Sequence, residues 1–189
     1  MTQKSSLARP PGFLKRRLKI LRSSSPIFAL SIVVVLLPQY GFAAHVVALA
    51  PAAAPGTVVI NTAQRKLYFV LTDRRAIRYP IAIPKKGREW SGQARVIGKM
   101  VRPDWAPPDV VRADHPELPR LVPAGAASNP VGARAILLDR SQVAIHGTSR
   151  RMRRSIGTAA SYGCIRMLDE DVIDLFDRVK IGTPVLKLP

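Results

Sequence analysis

Cys164 is the only cysteine among 189 residues, so it has no partner for an intramolecular disulfide and its thiol is open to other chemistry. It follows Gly163, a residue that lets the backbone turn sharply and leaves room beside the sulfur. His146 ends the apolar run Val143-Ala144-Ile145 and precedes Gly147, as expected at the mouth of a strand. A thiol becomes a strong nucleophile when a base or a positive neighbour draws off its proton, and imidazole is the usual supplier. Together the two residues permit acyl transfer: Cys164 attacks an amide carbonyl, while His146 takes the proton or holds it as an ion pair. Backbone N–H groups around Tyr162, Gly163 and Cys164 would meet the oxyanion. No aspartate or glutamate lies between Asp139 and Asp169, so the group orienting the imidazole is expected to be a backbone carbonyl, that of Gly147. Arg166 carries a guanidinium fork suited to a substrate carboxylate; a salt bridge to the acidic run at 169–171 is the alternative. A lone cysteine is more often a small buried hydrophobe, and a lone histidine a satisfied core residue. The conjunction, each bordered by glycine, favours chemistry. A metal centre is not expected, because His45, His115, His146 and Cys164 lack the paired spacing of zinc sites.

His146-Gly147-Thr148 followed by Ser161-Tyr162-Gly163-Cys164-Ile165-Arg166-Met167 resembles the signature of the L,D-transpeptidase catalytic domain of bacterial cell-wall enzymes. That signature is a histidine, a spacer of this length, then Ser/Thr-x-Gly-Cys and Arg or Asn. Asn129-Pro130-Val131-Gly132 and Gly182-Thr183-Pro184-Val185 are similar to the family as well. The resemblance implies a mainly β, β-sandwich-like domain with its active site on one edge. It also implies a cofactor-free enzyme acting on peptidoglycan stem tetrapeptides, in which Ser161 joins Arg166 as a substrate-binding residue. The donor would lose its terminal D-alanine. The acceptor stays open: the amine of a second stem (a 3→3 crosslink), an amine of an outer-membrane or wall-anchored protein, or water, which would make an L,D-carboxypeptidase. Carbapenems are the covalent probe the resemblance suggests. Two departures stand out. Tyr162 occupies a position where many members have histidine, so base chemistry falls to His146. Trp90-Ser91-Gly92-Gln93 stands where many have Thr-Pro-x-Gly, so the outer cleft is expected to differ. The competing reading from another class is a catalytically silent, cationic wall-binding module.

The formal net charge is +18. Seven of the basic residues precede residue 44 with no acidic one among them, and the uncharged run Ile27–Leu37 follows, then Pro38 and small residues. This order is that of a secretory signal peptide over 1–43, and the apolar run is short for a span of ~20 residues. An uncleaved anchor is the second choice. The expected product is exported to the periplasm or cell wall, with no stable membrane span after cleavage. Its remaining positive excess suits an anionic partner. Nucleic acid is disfavoured by the leader and by the lack of aromatic residues interleaved in the basic runs. The densest run, Arg150-Arg151-Met152-Arg153-Arg154, lies between His146 and Cys164; it is either a solvated loop or a rim drawing in carboxylate-bearing substrate.

The elements that must position these groups are mostly strands. Alanine- and proline-rich 44–56 reads as a linker, and 57–189 as the catalytic domain. Thr57–Asn61, Lys66–Leu71 and Ala76–Ile83 read as an antiparallel meander. Eight of the 17 prolines lie between Pro80 and Pro123, which argues for a long surface excursion over most of 102–130, with one strand at Ala94–Val101 before it. Trp105 within that excursion is expected to pin it to the body, with a substrate platform as the other choice. Ala133–Leu138 and Gln142–Ile145 lead into His146. One helix is well signalled: Asp169 as cap, Glu170 and Asp171 in the first turn, and Leu168, Val172, Leu175, Phe176 and Val179 along one face. Val185–Leu188 closes the sheet.

Overall fold

The computed structural model describes residues 45–49, 53–72 and 74–188; the expected leader lies outside them. The chain is mainly β. The strands are β1 (His45–Ala48), β2 (Val58–Asn61), β3 (Lys66–Thr72), β4 (Arg75–Pro80), β5 (Ile83–Pro84), β6 (Gly92–Val101), β7 (Arg134–Leu138), β8 (Ala144–His146), β9 (Ala159–Ser161), β10 (Ile165–Arg166) and β11 (Pro184–Leu188). Among the described residues there are also two α-helices, α1 (Asp109–Asp114) and α2 (Asp169–Arg178), and a 3-10 helix at Arg150–Ser155. Nine strands form one sheet in the order β1-β4-β3-β2-β11-β6-β7-β8-β10, and β5 pairs with β9 in a second.

The meander β2-β3-β4 is antiparallel as expected. The last strand inserts at its flank, running parallel to β2 and antiparallel to β6, so the C-terminal residues join the two halves of the sheet. Period-two alternation sorts side chains between the two faces. Val58, Ile60, Leu67 and Phe69 enter the main core, while Val59, Tyr68 and Val70 enter a smaller cluster on the other face with Leu49 and Ala76. Val172 and Leu175 of α2 and Val179 just after it are buried in the main core, and Leu168 just before it is buried as well, as their spacing requires.

Three features differ from the sequence reading. Within 44–56, read as linker, His45–Ala48 forms a strand antiparallel to β4, because β4 otherwise exposes an edge and Leu49 finds a pocket there. The proline-rich excursion carries the short α1, which starts directly after Pro108, where a missing N–H costs nothing. Asp169 does not cap α2: the N-cap position is Leu168, with no side-chain cap bond. The Asp169 carboxylate instead accepts from two backbone N–H groups in other loops, described below. No helix among the described residues is long and apolar enough to cross a membrane.

Candidate active site

β8 ends on His146, and β10 lies parallel to it at the sheet edge with Arg166 opposite His146 in the register. Paired residues share a face, so guanidinium and imidazole sit on the same side. His146 is 7% exposed, and its Nδ1 lies 2.7 Å from the Gly147 carbonyl. A carbonyl only accepts, so Nδ1 carries the proton and Nε2 of the neutral ring keeps its lone pair. Burial, and secondarily the Arg166 guanidinium, push the His146 pKa down to about 4, against the pull of the Gly147 and Val131 carbonyls. The resting ring is therefore a neutral base at ordinary pH.

Cys164 occupies a tight turn between β9 and β10. Gly163 has φ +136°, a region open to glycine and costly for other residues. The thiol donates to the Gln142 carbonyl at 3.6 Å. Burial pushes its pKa up, with the Ala144 backbone and Arg166 acting in the opposite sense. Thiol and imidazole are thus both neutral at rest, which favours proton transfer during attack over the preformed ion pair. Both residues line one cleft of about 760 Å³, walled by Ile97, Met100, Trp105 and Val143 among others.

The remaining expected site residues fall in different places. Ser161, read as substrate-binding, is 1% exposed; its hydroxyl donates to the Cys164 carbonyl and accepts from Gly163 N–H at 3.4 Å. It shapes the turn from within, since burial takes it off the cleft wall. Arg166 is half-buried, and the expected alternative of a bridge to the acidic start of α2 is not formed: Glu170 pairs with Arg153. Tyr162 meets His115 of the excursion, hydroxyl to Nε2 at 3.2 Å, with the Lys85 ammonium 3.5 Å from its ring centroid. Tyr162 is therefore a docking point for the loop. Trp105 pairs through its backbone with Val122 inside the excursion itself, and it lines the cleft.

Several positioning residues escaped the sequence. Asp169 Oδ1 accepts from Ala133 N at 2.9 Å and from Thr148 N at 3.1 Å, tying the segment after Gly132 to the segment after His146. Asn129, 5% exposed, holds the return of the excursion by donating to the Pro103, Val122 and Pro123 carbonyls and accepting from Val131 N. Gln142, at φ +58°, bonds Asp109 at the start of α1 while its carbonyl takes the thiol. Only Asn129 carried a signal, through its place in the Asn-Pro-Val-Gly run; the others need tertiary contacts to be seen.

A family model described as the L,D-transpeptidase catalytic domain (YkuD) matches residues 55–186. The probable L,D-transpeptidase ErfK/SrfK of Escherichia coli K12 is 37% identical over 135 residues, 68% of this chain and 42% of its own length. The probable L,D-transpeptidase YbiS of the same strain is 35% identical over 137 residues, covering 68% and 43%. This chain thus spans less than half the length of these relatives. Among solved structures, an L,D-transpeptidase from Mycobacterium smegmatis gives a TM-score of 0.57 at 15% identity, over 70% of this chain and 58% of that one. L,D-transpeptidase 3 from Mycobacterium tuberculosis in complex with a faropenem-derived adduct gives 0.54 at 14% identity, over 70% and 60%. At such identities the structural likeness concerns the fold.

Proposed function

This chain belongs to the L,D-transpeptidase catalytic-domain family, and from that premise we propose that it is an exported acyltransferase with Cys164 as nucleophile and His146 as base. The export reading rests on the leader pattern of 1–43. The single observation that carries the chemistry is that Cys164 and His146 open into one cleft, with the imidazole held as the Nδ1–H tautomer by the Gly147 carbonyl.

In the proposed reaction the Cys164 proton moves to Nε2 as the sulfur attacks the carbonyl of the stem's third residue. The bond to the terminal D-alanine breaks, and its nitrogen leaves as an amine with the proton returned by the imidazolium. An acceptor amine then attacks the thioester, gives its proton to His146 and frees the thiol. The Cys164 N–H, which has no acceptor among the described residues, meets the oxyanion in both halves, while the Gly163 N–H is held by the Ser161 hydroxyl. Arg166, with no carboxylate partner among the described residues, suits a carboxylate of the stem. Incubating the protein with a synthetic stem tetrapeptide and an amine acceptor should release D-alanine and form a new amide, read by mass spectrometry. Release without the new amide assigns water as acceptor; no release from the tetrapeptide overturns the reading.

The basic run between the two reactive residues has a divided role. Arg153 makes a two-pronged pair with Glu170, at 2.9 and 2.6 Å, which fastens the 3-10 helix to α2. Arg150, Arg151 and Arg154 are exposed, and the first two line a second cleft of about 730 Å³ that includes Arg102 and Thr148. Exposed rim charges act mainly on encounter, and salt screens them over ~10 Å at 0.1 M. Changing Arg150, Arg151 and Arg154 to glutamine, with Arg153 kept, should weaken binding of wall fragments more at low salt than at high salt. Equal binding at both would leave these arginines as a solvated surface.

A further inference from the structure

Trp90 does not line the cleft that holds His146 and Cys164; it lies beside the Cys164 turn, where its indole Nε1–H donates to the Gly163 carbonyl at 2.9 Å. In a planar trans peptide the carbonyl and the following N–H point in opposite directions. By taking the Gly163 carbonyl, the indole turns the Cys164 N–H away from itself. Among the described residues nothing accepts from that N–H. Gly163, with φ +136°, has no side chain to resist rotation of this peptide, so an external bond must set its plane.

The indole is itself held. The Arg140 guanidinium lies 4.7 Å and the Lys187 ammonium 5.2 Å from the ring centroid, within cation–π range. Lys187 is 3% exposed and donates to the Trp90 carbonyl. Arg140 Nη2 donates to the carbonyls of Ser91 and Gln93, at 3.1 and 3.0 Å. Two cations, Arg140 just after β7 and Lys187 in β11, thus fix one aromatic residue whose polar atom reaches the Cys164 turn. Burying a lysine this deeply is costly unless its charge is met, which argues that the clamp is built.

We infer that Trp90 is a positioning residue for the oxyanion site: its indole N–H locks the Gly163–Cys164 peptide with the Cys164 N–H presented to the substrate oxygen. This rests on the proposed acyl transfer. It assigns a role to the residue that departs from the Thr-Pro pattern, and it makes the donor geometry depend on a side chain distant in sequence.

The test compares two reagents on wild type and Trp90→Phe, which keeps an aromatic ring beside the two cations and removes the N–H. Faropenem acylation builds an oxyanion; iodoacetamide alkylation needs the thiolate and builds none. The expected result is a fall of about 10- to 100-fold in faropenem acylation, the scale of a small misplacement of a reacting group. Iodoacetamide rate and its pH profile should stay unchanged. A faropenem rate within twofold of wild type, or an equal fall with both reagents, overturns the inference. Wild type that is not acylated at all sinks the acyl-transfer reading along with it. Should Trp90→Phe fail to fold, wild-type NMR decides: the Trp90 indole proton should resist solvent exchange and shift on acylation, and exchange at the rate of a free indole overturns the inference.

Discussion

Faropenem should form a thioester with the wild-type protein and none with Cys164→Ser, although the two side chains are nearly isosteric. An alcohol is far harder to ionise than a thiol beside one neutral imidazole. His146→Gln is the better probe of the base than alanine. His146 is 7% exposed, so truncation would leave a cavity, whereas glutamine can still donate to the Gly147 carbonyl. Acylation of His146→Gln should fall by the ~10²–10⁴-fold typical of losing a general base. Tyr162 supplies no substitute, since its hydroxyl is engaged by His115. The wild-type rate should also fall with acid only near pH 4. Folding lowers the His146 pKa from 6.5 to about 4, so the neutral, base-competent ring persists through pH 5 and is lost below. Intact-protein mass spectrometry over a pH series reads all three arms. An acid limb near 6.5, or a His146→Gln protein that acylates as fast as wild type, would place the base elsewhere.

Much of this was legible before the structure, for identifiable reasons. The meander and α2 follow from period-two and period-3.6 burial, which one stretch of sequence states by itself. Cys164 and His146 stood out as residue types bordered by glycines, and they line one cleft; the absence of nearby acids pointed to the Gly147 carbonyl that Nδ1 meets. What failed depended on distant contacts. β9 and β10 have three and two residues, too few for a pattern, and exist because β5 and β8 offer them partners. Asp169 looked like a helix cap, since nothing local reveals that two loops bring their N–H groups to it. Ser161 shared a motif with Cys164 and therefore resembled a substrate contact, yet its hydroxyl closes the turn. Trp90 read only as a departure from a family pattern until the fold placed it 2.9 Å from the Gly163 carbonyl.

The convergence on Asp169 leads to the largest expected loss of stability and the sharpest test of how His146 is held. A Cβ on Gly147 would lie 2.0 Å from Asp169 Oδ1, with Val131 O at 3.1 Å and Ala133 N at 3.2 Å. Gly147→Ala must therefore drive the carboxylate off Ala133 N and Thr148 N. Overpacking together with the loss of two bonds to a carboxylate should cost about 3–5 kcal/mol, and the shifted Gly147 carbonyl should release the imidazole and slow acylation. Asp169→Ala alone leaves two backbone donors unsatisfied and should cost about 2–5 kcal/mol. The double variant should cost far less than the sum, because the new methyl group enters the space the carboxylate left, giving a coupling of about 2–3 kcal/mol. Gly132 is the control. Its Cβ would meet the same oxygen at 2.1 Å, but also Thr148 N at 2.7 Å, and its φ is +71°. Backbone does not yield as a side chain does, so Asp169→Ala should leave Gly132→Ala about as damaging as before. Urea unfolding of the five variants measures the cycle. Additive losses for Gly147→Ala and Asp169→Ala would show that the carboxylate does not govern the approach of these loops, and that His146 is seated by the sheet alone.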